Sequence, residues 1–444
     1  SSCERSESSC FKEKNEREKG IRSLIVGHTV TEKILAAHAD KNKVNPGEHI
    51  VANVDFMVAN DITAPITINI LEDIKNAKIK NEQIAIIPDH FTPNKDIKSA
   101  QNVKLLREFS KKRKVKYFFD TGRCGVEHCM LPEMGLVVPG DLVIGADSHT
   151  CTYGALGCFS SGVGSTDLAG ALMTGKIWLR VPETIKLEYT GELKDWVYGK
   201  DLILMTLRNL GNVAAIYKSL EFTGSTISKL SMYQRLTMSN MAVEAGAKNG
   251  IFLPDKITEE YVKDRAKRSY KMYQSDSDAK YADVRKFDVS NLDPQVSLPH
   301  LPSNAESIKD IGNIEIDQVF IGSCTNGWYE DLEIAAKILK GKKVAPSTRL
   351  IIAPPTPAIY MKALKNGLLE IFGEAEAVIG PPTCGPCLGG HMGILASGER
   401  AVATTNRNFV GRMGHYESEV YLSNPAVAAA SAVAGRIVHP EEVL

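Results

Sequence analysis

The stretch Pro382-Thr383-Cys384-Gly385-Pro386-Cys387 sets two thiols three positions apart, with Gly380-Pro381 before it and Gly389-Gly390 after it. Proline and glycine on both sides disfavour a helix, so the motif is predicted to lie in a loop. A thioredoxin-like redox pair needs the opposite, a first thiol at the start of a helix that lowers its pKa. A structural zinc is a second reading. The chain lacks another Cys-x-x-Cys at finger or ribbon spacing, although Cys324, Cys384, Cys387 and His391 together offer four ligands. A third reading joins the pair to Cys324 in Ile321-Gly322-Ser323-Cys324-Thr325-Asn326-Gly327, sixty residues upstream. Three cysteines on two glycine-rich loops suit an iron-sulfur cluster whose fourth iron stays open. Spacing alone leaves all three readings standing.

Just beyond, Thr405-Asn406-Arg407-Asn408-Phe409-Val410-Gly411-Arg412 holds two guanidiniums five residues apart. Such forks bind planar carboxylates in bidentate fashion, which points to a metal site that handles acids. Ser323-Cys324-Thr325-Asn326, Cys384-Gly385-Pro386-Cys387 and Asn406-Arg407-Asn408-Phe409-Val410-Gly411-Arg412, in that order and spacing, resemble the signatures of the aconitase superfamily. The resemblance runs from about Thr29 to Leu444. It implies three α/β/α domains with mostly parallel sheets around a shared cleft, and one 4Fe-4S cluster per chain on Cys324, Cys384 and Cys387. The activity it implies is that of a hydro-lyase, moving a hydroxyl between adjacent carbons of a small hydroxy acid with two or three carboxylates.

The chain in order supplies strand ends for such a site. Ser1 to Lys19 is polar and reads as disordered, Cys3 and Cys10 included, and residues 1–28 are expected to precede the first domain. Thr31 is expected to cap a short helix. From Ile50 to Val181, β-rich runs alternate with helical stretches, which predicts a parallel sheet flanked by helices over 29–181. Asp89-His90 and Asp147-Ser148-His149 each follow a predicted strand directly, where ligands collect in open α/β sheets. Gly154 to Gly164 lacks the endings of a phosphate loop or dinucleotide fingerprint and reads as the approach to a helix. A second unit is expected over 182–301. Its segment Thr237 to Glu244 reads as helical and puts Asn240 and Glu244 on one face beside apolar neighbours, so that a buried Glu244 would need a partner. Tyr273 to Asp283 reads as a surface loop, and the proline-bearing Pro294 to Asn304 as a linker. The third unit, 302–444, carries both thiol loops at one edge of a sheet.

The resemblance adds roles to these residues. It implies that Asp89, His90, His128, Asp147, His149 and Glu244 form histidine–carboxylate pairs that handle protons, with Ser148 as a further donor. Asn240 and Asn406 would donate hydrogen bonds near the cluster, and Arg407 and Arg412 would hold substrate carboxylates. The aconitases' fourth, swivelling domain, which carries their serine base, has no counterpart before Leu444. The resemblance therefore implies a separate small subunit, without which this chain is expected to be inactive or nearly so.

Composition narrows the alternatives. The 444 residues are 43% hydrophobic and 24% charged, with 53 cationic and 53 acidic side chains, so no net field points to nucleic acid or to an acidic membrane. That balance argues against a regulator that binds RNA once its cluster is lost. No apolar run is long enough to span a bilayer and no secretory leader is recognisable, so a cytoplasmic protein is expected. Nine cysteines, an odd number, fit a reducing compartment better than a disulfide framework.

Overall fold

The computed structural model describes residues 27–444; the polar N-terminal stretch with Cys3 and Cys10 lies outside the described residues. Runs such as Ile84-Ala85-Ile86-Ile87 have no polar face and are stable as strands only when both faces are covered, as in a parallel sheet between helices. All four of these residues are buried. They belong to a five-stranded, all-parallel sheet whose strands lie in the order Tyr117–Phe118, Ile84–Ile87, Phe56–Asn60, Leu142–Gly145, Phe159–Gly162. The chain builds outward to one side of Phe56–Asn60 and then returns to the other. The direction of winding thus reverses between Phe56–Asn60 and Leu142–Gly145, where a crevice opens at the carboxyl ends.

A second sheet has seven strands, ordered Ala305–Ser307, Gln295–Ser297, Glu419–Leu422, Arg400–Ala403, Gln318–Ile321, Arg349–Ile352, Val378–Ile379. The last five are mutually parallel, and their winding reverses between Gln318–Ile321 and Arg400–Ala403. The alanine-rich helix Pro425–Ala434 is buried and packs on Gln318–Ile321 and on the helix Tyr329–Leu339, an approach that small side chains permit. A third sheet, all parallel, orders Asn249–Phe252, Ser219–Thr223, Thr184–Thr190 and Asp283–Asp288. His49–Asn53 and Lys176–Arg180 form a separate antiparallel ribbon. No helix among the described residues is long and apolar enough to cross a membrane.

Two local expectations change, and two others gain detail. The first helix, Val30–His38, is capped by Thr29 rather than Thr31, because Glu32 is then placed to complete a capping box. The Gly154 to Gly164 stretch does lead to a helix, Ser165–Thr174, which Gly164 caps, but by way of the 3-10 turn Ser148–Leu156 and the edge strand Phe159–Gly162. A Cβ on Gly154 would lie 1.9 Å from the Gly250 carbonyl oxygen, so this glycine lets the turn pack closely on the strand Asn249–Phe252. Pro294 to Asn304 is not a linker, since Gln295–Ser297 pairs with Ala305–Ser307 and meets Leu422. Its prolines flank the strand instead of interrupting the ladder. The polar loop after Tyr273 is a surface loop, as expected, and it packs against the first described residues. Ser275 Oγ accepts from the Val30 amide at 2.8 Å, and Gly27 pairs with Ala279.

Asp201 ties these layers together. Fully buried, it accepts from the Tyr198 amide at 2.8 Å, the Gln295 amide at 2.7 Å and Asn424 Nδ2 at 2.9 Å, linking a helix, a strand and the cap of Pro425–Ala434. Asp201→Ala leaves these donors buried without a partner and is expected to cost about 3 kcal/mol or more. Denaturant unfolding of the chain tests this; a loss below about 1 kcal/mol would contradict the assignment.

Candidate active site

The two points where the winding reverses deliver the site. Cys324 follows Gln318–Ile321, Cys384 and Cys387 follow Val378–Ile379, and Asn406-Arg407 follow Arg400–Ala403, so all five leave the same edge of one parallel sheet. The Cys324 turn is held in an unusual shape: Ser323 adopts a left-handed φ of 78°, which a non-glycine residue keeps only under constraint. Ser323 Oγ lies 2.7 Å from Thr325 Oγ1, which donates to the Thr404 carbonyl at 2.7 Å, so the turn is fastened to the segment carrying Asn406.

Cys324, Cys384 and Cys387 are buried, unpaired by disulfides, and line one cavity of about 310 Å³. Asn240 Nδ2 and Asn406 Nδ2 each donate to Cys324 Sγ at 3.2 Å, and Arg412 Nη2 lies 3.7 Å from Cys387 Sγ. Donors aimed at sulfur favour a thiolate ligand. Burial, in contrast, pushes the Cys324 and Cys384 thiols well up, so iron uptake must displace protons. Among the described residues, the three sulfurs are not a group whose ligand atoms all lie within 4.8 Å of one another. A tetrahedral ion with bonds of about 2.3 Å would need them closer, whereas a cube of irons spreads its thiolates. His391 is not among the residues lining this cavity; its Nε2 is 2.8 Å from the Pro93 carbonyl oxygen. The donor set therefore fits the 4Fe-4S cluster of the third reading. The redox-pair reading has no use for Cys324, which Asn406 connects to Cys387.

Opposite the thiols stand the carboxyl ends of the five-stranded sheet. Asp89 Oδ1 is 2.6 Å from His90 Nδ1; burial works against a charge on His90, but Asp89, Asp61 and Asp147 together hold its imidazole well above 6.5. His128 Nε2 is 2.9 Å from Asp147 Oδ1 and its Nδ1 is 3.0 Å from the Tyr153 hydroxyl. Burial opposes ionisation of Asp147, yet hydrogen bonds from His128 and His149 hold it well below 3.8. The helix Met232–Asn240 and the 3-10 turn after it bring in Asn240 and Glu244. Glu244 Oε1 is 2.9 Å from His149 Nε2 and accepts from Arg407 Nε at 2.8 Å; against its burial, these two partners lower its pKa. Arg407 Nη1 donates to Ser148 Oγ at 3.1 Å. The structure thus gathers all fourteen predicted residues, twelve lining the cavity and Asn240 and Glu244 bonded to those that do.

Sequence reasoning passed over two acids. Asp61 accepts from the His90 and Phe91 amides at 3.0 and 2.8 Å and shapes their loop. It follows the strand Phe56–Asn60 directly, the signal that singled out Asp89 and Asp147. Glu127 lines the cavity beside His128; its Oε1 accepts from Asn60 Nδ2 at 2.9 Å, while Oε2 is buried without a partner.

The sequence matches the family described as "Aconitase family (aconitate hydratase)" over residues 32–313 and 305–435. It is 63% identical over 421 residues to the 3-isopropylmalate dehydratase large subunit 1 of Pyrococcus furiosus, covering 94% of this chain and 99% of that one. The 3-isopropylmalate dehydratase large subunit of Thermodesulfovibrio yellowstonii is 62% identical over 419 residues, 94% of this chain and 100% of its own. That of Heliobacterium modesticaldum is 61% identical over 419 residues, with the same coverage.

Burial, and then the charges of Asp89 and Asp147, push the Glu127 carboxyl well above 4.5. Its contribution to stability is therefore present below about pH 4.5 and is lost as pH rises through its folded value. Infrared spectra at pH 7 are expected to show a protonated carboxyl band that disappears in Glu127→Gln. A spectrum unchanged by that substitution would mean Glu127 is ionised.

Proposed function

Because this chain belongs to the aconitase family, we propose that it is the iron-sulfur subunit of a 3-isopropylmalate dehydratase, interconverting 2-isopropylmalate and 3-isopropylmalate by loss and return of water. The observation that carries this reading is the meeting in one cavity of three thiols, three histidine–carboxylate pairs and two arginines, in a chain some 60% identical to full-length relatives of that name. The three-domain division at 29–181, 182–301 and 302–444 and a cytoplasmic location are parts of the same reading.

Cys324, Cys384 and Cys387 hold the 4Fe-4S cluster, which when bound supplies an open iron, a Lewis acid for a poor leaving hydroxyl. The chain's own groups do the rest. Asn240 and Asn406 donate to the Cys324 sulfur and Arg412 sets a positive charge beside Cys387. His90, kept cationic by Asp89 at the cavity wall, gives its proton to the departing hydroxyl, which leaves as water. On the return step, His90 takes a proton back from water as hydroxide adds to the neighbouring carbon. Asp147 and Glu244 fix the rings of His128 and His149. Arg407 spends its Nε on Glu244 and one Nη on Ser148, so the carboxylate clamp falls to its remaining Nη and to Arg412.

The proton on carbon needs a base. Among the described residues Ser148 is the single serine lining the cavity, and its hydroxyl already accepts from Arg407. The relatives are named large subunits, which implies a small-subunit partner. In this reading that partner brings the base and reads the substrate's side group.

Anaerobic reconstitution is expected to load about four irons and four sulfides per chain, lost on changing any of Cys324, Cys384 or Cys387 to Ser. Combined with its small subunit, the loaded chain is expected to dehydrate 2-isopropylmalate. Turnover of homocitrate or methylmalate in its place would redirect the substrate assignment. His90→Gln is expected to lower kcat by roughly 10²- to 10⁴-fold with cluster content unchanged; an unaltered kcat would remove His90 from the proton path.

A further inference from the structure

Among the described residues, Lys200 is a buried cation without an ion-pair partner. It sits in the first turn of the helix Gly199–Leu210, only 1% exposed. Its Nζ donates to the carbonyls of Thr404 and Thr405 at 2.8 and 2.7 Å and to Asn326 Oδ1 at 3.3 Å. No carboxylate oxygen among the described residues lies within 4.0 Å of it. Asp331 is one step removed, reached through Asn326, whose Nδ2 donates to Asp331 Oδ1 at 3.2 Å. The helix offers no compensation either, because the amino end of a helix carries positive partial charge. A buried ammonium with only neutral acceptors is costly. Burial pulls its pKa down to about 7, against the opposing pull of Asp331, Cys324, Cys387 and Asp201.

Its three acceptors identify what the charge serves. Asn326 stands two residues after Cys324, and Thr404 and Thr405 immediately precede Asn406, the donor to the Cys324 sulfur. Lys200 thus lies behind both segments that shape the thiol pocket. Three thiolates bound to a cluster core of charge about +2 leave a net negative charge in a dry site. We propose that Lys200 is the built-in counter-ion of the iron-sulfur cluster, a positioning residue that offsets this charge through the Asn326 and Thr404–Thr405 segments. The inference rests on the cluster reading above. It requires that the lysine be poorly compensated in the empty chain and well compensated in the loaded one.

That asymmetry separates a counter-ion from a structural clamp. Lys200→Met removes the charge and keeps much of the side-chain volume, and Lys200→Gln keeps a hydrogen-bond donor without the charge. Both are compared with the parent as the full chain, empty and after anaerobic loading with iron and sulfide, by thermal unfolding and by the potential at which the cluster is reduced. The expected result has opposite signs: the methionine variant unfolds at the parent temperature or higher when empty, and lower than the parent when loaded. In both variants the cluster is reduced at a more negative potential, because a nearby positive charge no longer favours the added electron. If Lys200→Met does not fold, the potential of Lys200→Gln alone decides. Equal destabilisation of empty and loaded chains with an unchanged potential would overturn the proposal and leave Lys200 a clamp. A parent chain that takes up no iron and sulfide would overturn this inference and the cluster reading together.

Discussion

Everything in the site depends on the parallel pairing of Gln318–Ile321 with its neighbours on both sides. A parallel sheet sends every strand out at the same edge, so cysteines sixty residues apart and an asparagine further along arrive together without any local contact in sequence. The reversal of winding beside that strand opens the crevice, and the five-stranded sheet presents a second reversal to it. The seven-stranded sheet contributes thiols and arginines, and the five-stranded sheet histidines and acids. The helix from the four-stranded sheet's unit adds Asn240 and Glu244. Each unit supplies something the others lack.

The electrostatics follow from that convergence. Buried carboxylates are tolerated where hydrogen-bonding partners answer them: Asp147 between His128 and His149, Glu244 between His149 and Arg407, Asp89 against His90. Two groups break the pattern. Burial and then Asp89 and Asp147 push the Glu127 carboxyl up and its Oε2 has no hydrogen-bond partner, and among the described residues no carboxylate oxygen lies within 4.0 Å of the Lys200 ammonium. Lys200 stands behind the two segments that shape the thiol pocket, where a cluster of net negative charge would answer it.

Much of this was legible in the sequence because strand ends carry the chemistry and strands are easy to read. Ile84 to Ile87, Leu142 to Gly145 and Gln318 to Ile321 are short apolar runs, and Asp89-His90, Asp147-Ser148-His149 and Cys324 follow each within five residues. Asp61 obeys the same rule but precedes a helix with proline in its first turn and so resembles an ordinary turn residue. Glu127 opens a helix, where an acid usually complements the dipole. Lys200 stands in Gly199-Lys200-Asp201, a pattern typical of an exposed helix start; its burial comes from residues more than a hundred positions away. The strand at Gln295 was hidden by prolines that flank it. Where local pattern and long-range packing diverged, packing decided.

The central claim is that three thiolates hold four irons in this cavity and leave one iron for the substrate. Mössbauer spectra of the chain loaded with iron-57, recorded with and without 2-isopropylmalate in the presence of the small subunit, address it directly. The account predicts one iron in about four with its own signal, and that this signal alone shifts when substrate is added. Four irons that respond alike, or none that responds, would contradict it.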